Sequence, residues 1–416
     1  ATLIKLTGIV PTVAYNLAVP TLFALTAAGA ACVVTNLVPE GGDEARRWLP
    51  RPLRYGILGA LMVAVLGNLG ELQLLLRGFE ELGRVVVMES RIPGLAFLVR
   101  CAAGLWRYVF EGQRLPFRPE WWYWSATRVM TNGEINEFPF FTFLYADLHA
   151  HLTALPYTLL ALGAALGLAL PGGEPEDAVP ASEAVGWRGY LADARRWLGQ
   201  TVGRSLPGLA LLALALGALW CSNTWDLPTY LGIGVVAVAM GAYHTAVTTV
   251  RPRLDQRLLE RIAVRVGVLV VLTMLLYRPF HAHFGSGYSS VEPWKGERSP
   301  LGALLIIWAT PGFLVASALW TATFGRGARG AVARALRVYV APRGGRERAG
   351  ALYALLVRCQ GLGYEAGVFG VMTLIGLLLA ALISGSWALL LGLPLLVMAA
   401  ALALKNALGL TCDPVG

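Results

Sequence analysis

The sequence predicts an all-α, polytopic membrane protein with about nine transmembrane helices, and three observations carry that reading. Of 416 residues, 56% are hydrophobic and 14% charged, against about 25% charged in an average soluble domain; mean hydropathy is +0.60. Apolar runs of roughly 18 to 25 residues, the length that crosses hydrocarbon, recur along the chain. Arginine gathers in alternate short loops. This composition excludes an ordinary cytosolic enzyme, a disordered chain and a basic nucleic-acid-binding protein. The net charge of +9, from 34 Lys+Arg against 25 Asp+Glu, fits the basic loops of a membrane protein and requires no polyanionic partner such as a nucleic acid. Cys32, Cys101, Cys221, Cys359 and Cys412 form no close pair and no CxxC, which argues against a disulfide framework or a structural zinc site.

The expected spans run, in order, near Val10 to Leu37, Gly56 to Leu76, Leu148 to Leu170, Leu206 to Trp220, Leu227 to Val250, Ile262 to Phe280, Leu301 to Phe324, Ala366 to Ser384 and Trp387 to Leu404. The fourth is short and forms a tight hairpin with the fifth. Residues 1–416 are read as a single transmembrane domain. Its largest insertions are an external loop at 77–146 and a basic loop at 325–350.

Orientation follows from the short loops. Arg46, Arg47, Arg51 and Arg54 fill one, Arg251, Arg253, Arg257, Arg261 and Arg265 a second, and Arg326, Arg329, Arg334, Arg337, Arg343, Arg346 and Arg348 a third. Alternation of nine spans puts all three, and a mixed-charge loop from Pro171 to Ser205, on one side, expected to be the cytoplasmic face of the plasma membrane. In the long external loop, Ile92 to Gln113 reads as an interfacial amphipathic helix. Arg100, Arg107 and Arg114 fall on one face, with Leu98, Cys101, Leu105 and Val109 on another. Trp121, Trp122, Tyr123 and Trp124 follow, either as an aromatic belt at the headgroup level or as a surface for stacking sugars.

Three polar groups fall on the face opposite the arginine loops. The first comprises Asn136, Glu137, Asp147, His149 and His151, leading into the third span. Ionisable groups at that depth usually face a cavity or a partner. Asp147 and His151 are four apart and would share a helix face, while Asp147 would also suit an N-cap. The second is Asn223, Trp225 and Asp226, where Asp226 reads as the cap of a helix with Pro228 in its first turn. The third is Arg278, His281 and His283; a guanidinium there can snorkel to the interface or hold a phosphate. The two HxH pairs leave a divalent metal as a weaker alternative. Asn68, Glu71 and Gln73 are read as lying near the outer end of the second span.

The run from Phe117 to Leu170 resembles the signature region of a bacterial and archaeal membrane family called Chlor_Arch_YYY, after a Tyr-Tyr-Tyr motif. The matching elements are Phe117-Arg118-Pro119, Ser125-Ala126-Thr127-Arg128-Val129, Ile135-Asn136-Glu137-Phe138-Pro139-Phe140-Phe141 and Ala146-Asp147-Leu148-His149-Ala150-His151. Asn223-Thr224-Trp225-Asp226-Leu227-Pro228-Thr229-Tyr230 and Tyr277-Arg278-Pro279-Phe280 also match. Family members commonly have Pro where Ala150 stands, and another residue at Arg278. The Tyr-Tyr-Tyr motif is absent. In the family it precedes a segment like Lys5-Leu6-Thr7-Gly8, so the chain reads as a fragment that begins just after it; a further family segment is expected beyond Pro414.

The resemblance implies likeness to the GT-C class of integral-membrane glycosyltransferases, which take sugar from a polyprenyl-phosphate carrier at the outer membrane face. In that class the catalytic carboxylate usually lies in the first external loop. The resulting expectation gives catalytic roles to Glu137, Asp147 and His151, and substrate contacts to Asn136, His149, Asn223, Trp225, Asp226, Arg278, His281 and His283. The partners are the bilayer and a polyprenyl-phosphate sugar. Two alternatives stay open. A transporter or flippase would need a polar path at mid-membrane, and a non-catalytic assembly subunit would leave these groups scattered.

Overall fold

A computed structural model describes residues 2–38, 49–118, 120–130, 133–170, 186–247, 256–285 and 296–324, with single positions beyond 375. The elements are α1 (Thr2–Thr7), α2 (Pro11–Leu37), α3 (Arg51–Ala64), α4 (Gly70–Leu82), α5 (Leu95–Phe110), α6 (Trp121–Trp124) and α7 (Pro139–Tyr145). They continue with α8 (Ala150–Ala169), α9 (Trp187–Val202), α10 (Leu206–Ser222), α11 (Asp226–Val247), α12 (Gln256–Leu276), α13 (Arg278–His281) and α14 (Leu301–Phe324). Among the described residues there are no strands, so the all-α expectation holds there.

Among the described residues, four helices are long and apolar enough to cross a membrane: α2, α8, α11 through Tyr243, and α14 through Leu319. The pair α9 and α10, bent by 67°, makes a fifth if counted as one span. The expected spans near Ala366–Ser384 and Trp387–Leu404 and the basic loop at 325–350 lie outside the described residues, single positions aside. Two expectations change. The run from Gly56 to Leu76 is not one helix, since α3 ends at Ala64 and α4 begins at Gly70. The buried Asn68 side chain holds the break. Its Oδ1 accepts from the Gly70 N–H at 2.9 Å and its Nδ2 donates to the Ala126 carbonyl at 2.7 Å, bonds that compete with continued helix. At about 1.5 Å per residue, neither piece reaches across roughly 30 Å of hydrocarbon. The mixed-charge stretch before Ser205, expected to be loop, contains α9.

The chain divides into two compact units, residues 1–66 with 139–292 and residues 67–138 with 293–416. In the first, α8, α10, α11 and α12 surround a core of Leu209, Leu212, Leu216, Leu219 and Leu269, all fully buried. Their directions are fixed by close contacts. Gly29 of α2 lies against Leu159 of α8, and a Cβ at Gly241 of α11 would meet the Leu168 carbonyl, so these three helices run the same way. Gly208 of α10 meets Leu168, which makes α10 antiparallel to α8, and Gly217 of α10 lies under the Tyr277 ring beyond α12. The starts of α2, α8 and α11 therefore share one end of the unit with the finishes of α10 and α12.

In the second unit α4 packs on α5, and the arginine face of α5 turns toward α4. Arg107 Nη1 donates to the Leu82 carbonyl at 2.7 Å, Arg100 Nη1 lies 3.7 Å from Glu80, and the Cys101 thiol donates to the Leu76 carbonyl at 3.3 Å. The face carrying Leu98, Leu105, Trp106, Val109 and Phe110 is exposed. The helix is amphipathic, with its apolar stripe open to the surroundings, but Cys101, expected on that stripe, is buried against α4.

Candidate functional site

Asp147, His149 and His151 of the first polar cluster are assembled at the shared end of the first unit. α7 buries Phe141 and Phe143, the latter edge-on to Phe23 of α2 at 5.2 Å, so the aromatic part of the Asn136–Phe141 motif acts as an anchor. The chain then turns at Ala146, whose φ of 58° is unusual for a residue with a Cβ. Tyr15 of α2 holds that turn. Its hydroxyl donates toward the Ala146 carbonyl at 3.2 Å and the Asp147 Oδ1 at 3.3 Å, and accepts from the Leu148 N–H at 3.1 Å.

Asp147 therefore does not cap α8. His149 occupies the N-cap position, without a side-chain cap bond, and His149 Nδ1 lies 3.2 Å from Asp147 Oδ2. The expected pairing of Asp147 with His151 on one helix face is replaced by a Tyr15–Asp147–His149 line, because the left-handed turn puts Asp147 ahead of the helix. The His149 and His151 rings stand 5.3 Å apart. His151 faces Asp226 at electrostatic range.

The second group joins from α11. Asp226 is the first residue of that helix, where a carboxylate complements the free N–H groups. Asn223 Nδ2 donates to its Oδ2 at 3.1 Å. Tyr230, one turn on, pairs with Thr158 of α8. Trp225 is exposed.

The third group sits at the same end. The His281 ring lies 3.9 Å from Trp220 of α10. Both His281 ring nitrogens and Trp220 Nε1 are buried without a hydrogen-bond partner among the described residues, an unsatisfied set that calls for an explanation. Arg278 and His283 are exposed. Among the described residues no three His, Cys, Asp or Glu side chains are grouped to hold a metal ion.

Asn136 and Glu137 belong to the second unit. The Asn136 N–H donates to the Thr127 carbonyl at 3.0 Å, and its Oδ1 is buried without a partner among the described residues. In that unit Trp121 and Trp124 line a cavity of about 810 Å³ with Gln73, Arg77 and Arg128. The Arg128 guanidinium stacks 4.3 Å from the Trp124 ring. Sequence reasoning missed Tyr15, a lone tyrosine in an apolar run 132 residues from Asp147; no local pattern marks it.

An apolar helical bundle with carboxylates, imidazoles and a tyrosine gathered at one end defines a multi-pass membrane protein. The chain belongs to the family described as "Uncharacterized membrane protein (DUF2298)", which matches residues 1–412. Comparisons with curated proteins and with solved structures returned no match.

Proposed function

We propose that this chain is a plasma-membrane glycosyltransferase of the GT-C kind, related to the Chlor_Arch_YYY proteins, with the Asp147 end of its helices at the extracytoplasmic face. The observation that carries the reading is the Tyr15–Asp147–His149 line beside the Asn223–Asp226 pair. In this mechanism the Asp147 carboxylate takes the proton of an acceptor hydroxyl as its oxygen forms the new bond to the sugar's anomeric carbon. The bond from that carbon to the phosphate oxygen breaks, and polyprenyl phosphate leaves with the electron pair. Tyr15 and His149 orient the base, as a positioned carboxylate requires. His151, His281, His283 and Arg278 supply donors for the departing phosphate, and Asn136 and Glu137 are secondary candidates.

Among the described residues the helices of the first unit meet mainly through leucine and alanine, which favours an enzyme over a transporter with its polar groups at mid-membrane. A cytoplasmic location of the arginine loops is part of the same proposal. The test is transfer of labelled sugar from a polyprenyl-phosphate donor in membranes holding the full-length protein. Asp147→Asn is expected to lower transfer by about 10² to 10⁴-fold, the usual worth of a general base. Unchanged transfer in both Asp147→Asn and Glu137→Gln would sink the assignment.

A further inference from the structure

The first unit holds a second feature, at the end of its helices away from Asp147. A groove of about 890 Å³ runs between α2, α8 and α10. Its walls are mostly apolar: Leu25 and Val33 on α2, Leu160 on α8 and Leu211 on α10, deepened by Gly163 and Gly167. Along α2 it spans Leu25 to Asn36, about 16 Å at the helical rise. That is close to half of a hydrocarbon core roughly 30 Å thick, the depth of one leaflet.

One end of the groove is cationic. Arg204 and Arg265 both line it, and among the described residues no acidic side chain does. Arg265 is buried, with its Nε donating to the Thr201 carbonyl at 2.7 Å, so its charge is fixed in place at the groove wall. Arg204 is exposed in the turn between α9 and α10. Guanidinium groups bind phosphate oxygens through directed N–H donors. An apolar channel one leaflet deep that ends at two arginines matches a lipid with an anionic phosphate headgroup.

We infer that this groove is a binding site for an anionic phospholipid, with one acyl chain along α2 and α8 and the phosphate at Arg204 and Arg265. The site is separate from the proposed donor site, because Tyr15, Asp147 and Asp226 lie at the opposite ends of the same helices. It does not depend on the glycosyltransferase reading.

The test uses the full chain in neutral detergent, with mixed micelles of phosphatidylglycerol, phosphatidylcholine or neither. Bound lipid is counted by native mass spectrometry and thermal stability is followed in parallel. Phosphatidylglycerol is expected to bind and to raise Tm more than phosphatidylcholine does. Inorganic phosphate alone should leave Tm unchanged. Arg204→Gln, at an exposed position, should weaken phosphatidylglycerol binding about fivefold, the worth of one basic residue at a lipid surface, and spare phosphatidylcholine. Gly167→Leu adds a side chain where nothing lies within 4 Å, so it should fold, fill the groove and remove the bound lipid with both arginines intact. Equal binding of the two lipids, a full Tm shift from inorganic phosphate, or an undiminished phosphatidylglycerol preference in Gly167→Leu would each overturn the inference.

Discussion

In the first unit long helices meet through leucine and alanine, as α8 and α10 do around Leu212 and Leu216. In the second, α4 and α5 are short and carry arginines whose donors reach the neighbouring backbone and carboxylates, as Arg107 reaches Leu82. An apolar helix satisfies its backbone internally and needs only packing. A short amphipathic helix ends where carbonyls are still unpaired, and a guanidinium can satisfy one there. The difference explains why hydropathy located the long apolar helices and misread the run that breaks before α4.

The largest expected effect tests a device the units share. A Cβ at Gly104 of α5 would overlap the Phe79 carbonyl, and one at Gly241 of α11 would overlap the Leu168 carbonyl. Backbone cannot step aside as a side chain can. Gly104→Leu and Gly241→Leu should each cost about 3 kcal/mol or more, at the upper end for overpacking. Tm in detergent and protease sensitivity report it. If Gly104→Leu were neutral, the close α4–α5 contact would be wrong.

Next comes the bond from Arg107 to the Leu82 carbonyl, which ties α5 to the end of α4 in the second unit. Arg107→Met keeps most of the stem and removes the donor to Leu82 and the ion pair with Glu111 at 3.1 Å. The ion pair is partly exposed and contributes little. The charged bond to the carbonyl dominates, and its loss should cost about 1.5 to 3 kcal/mol. Thermal unfolding that left Arg107→Met level with wild type would erase the contrast between the units.

The first unit stores strain where it places its carboxylate. Ala146 holds a φ of 58°, a region that glycine enters freely. Ala146→Gly should raise stability by about 0.5 to 1 kcal/mol if that turn persists in the folded chain. A fall in Tm instead would mean that the turn is not held as described. Paired with Tyr15→Phe, which removes the hydroxyl bonding Ala146 and Asp147, it separates support of the turn from support of the carboxylate.

Much of the helical fold was legible from composition. The spans read near Val10–Leu37 and Leu301–Phe324 match α2 and α14 to within a residue, and those near Leu148–Leu170 and Leu227–Val250 match α8 and α11 to within a few. A continuous apolar run has no other stable form in lipid. The break at Asn68 was invisible, since averaging over a window dilutes one asparagine that bonds across 58 residues. The candidate site was half legible. Carboxylates and imidazoles among apolar residues announced themselves, whereas the Asp147–His149 pairing depends on one backbone angle at Ala146 and on Tyr15. Neither leaves a local pattern.

The smallest effect concerns Glu71, on the α4 side of that break. Its Oε2 is buried with no hydrogen-bond partner among the described residues, and burial pushes its carboxyl up from 4.5 to about 7. Desolvation penalises the charged form, so the folded chain favours the neutral acid. Between the unfolded value and about 7 the folded state binds more protons than the unfolded one, and stability falls as pH rises through that window. Glu71→Gln is neutral at every pH and keeps the shape, so it should lose this slope and exceed wild type most clearly above about pH 7. Tm series from about pH 5 to about pH 8 on both proteins decide the matter. Parallel slopes would mean that Glu71 reaches water, and that the break in the chain at Asn68 lies at the surface of the second unit.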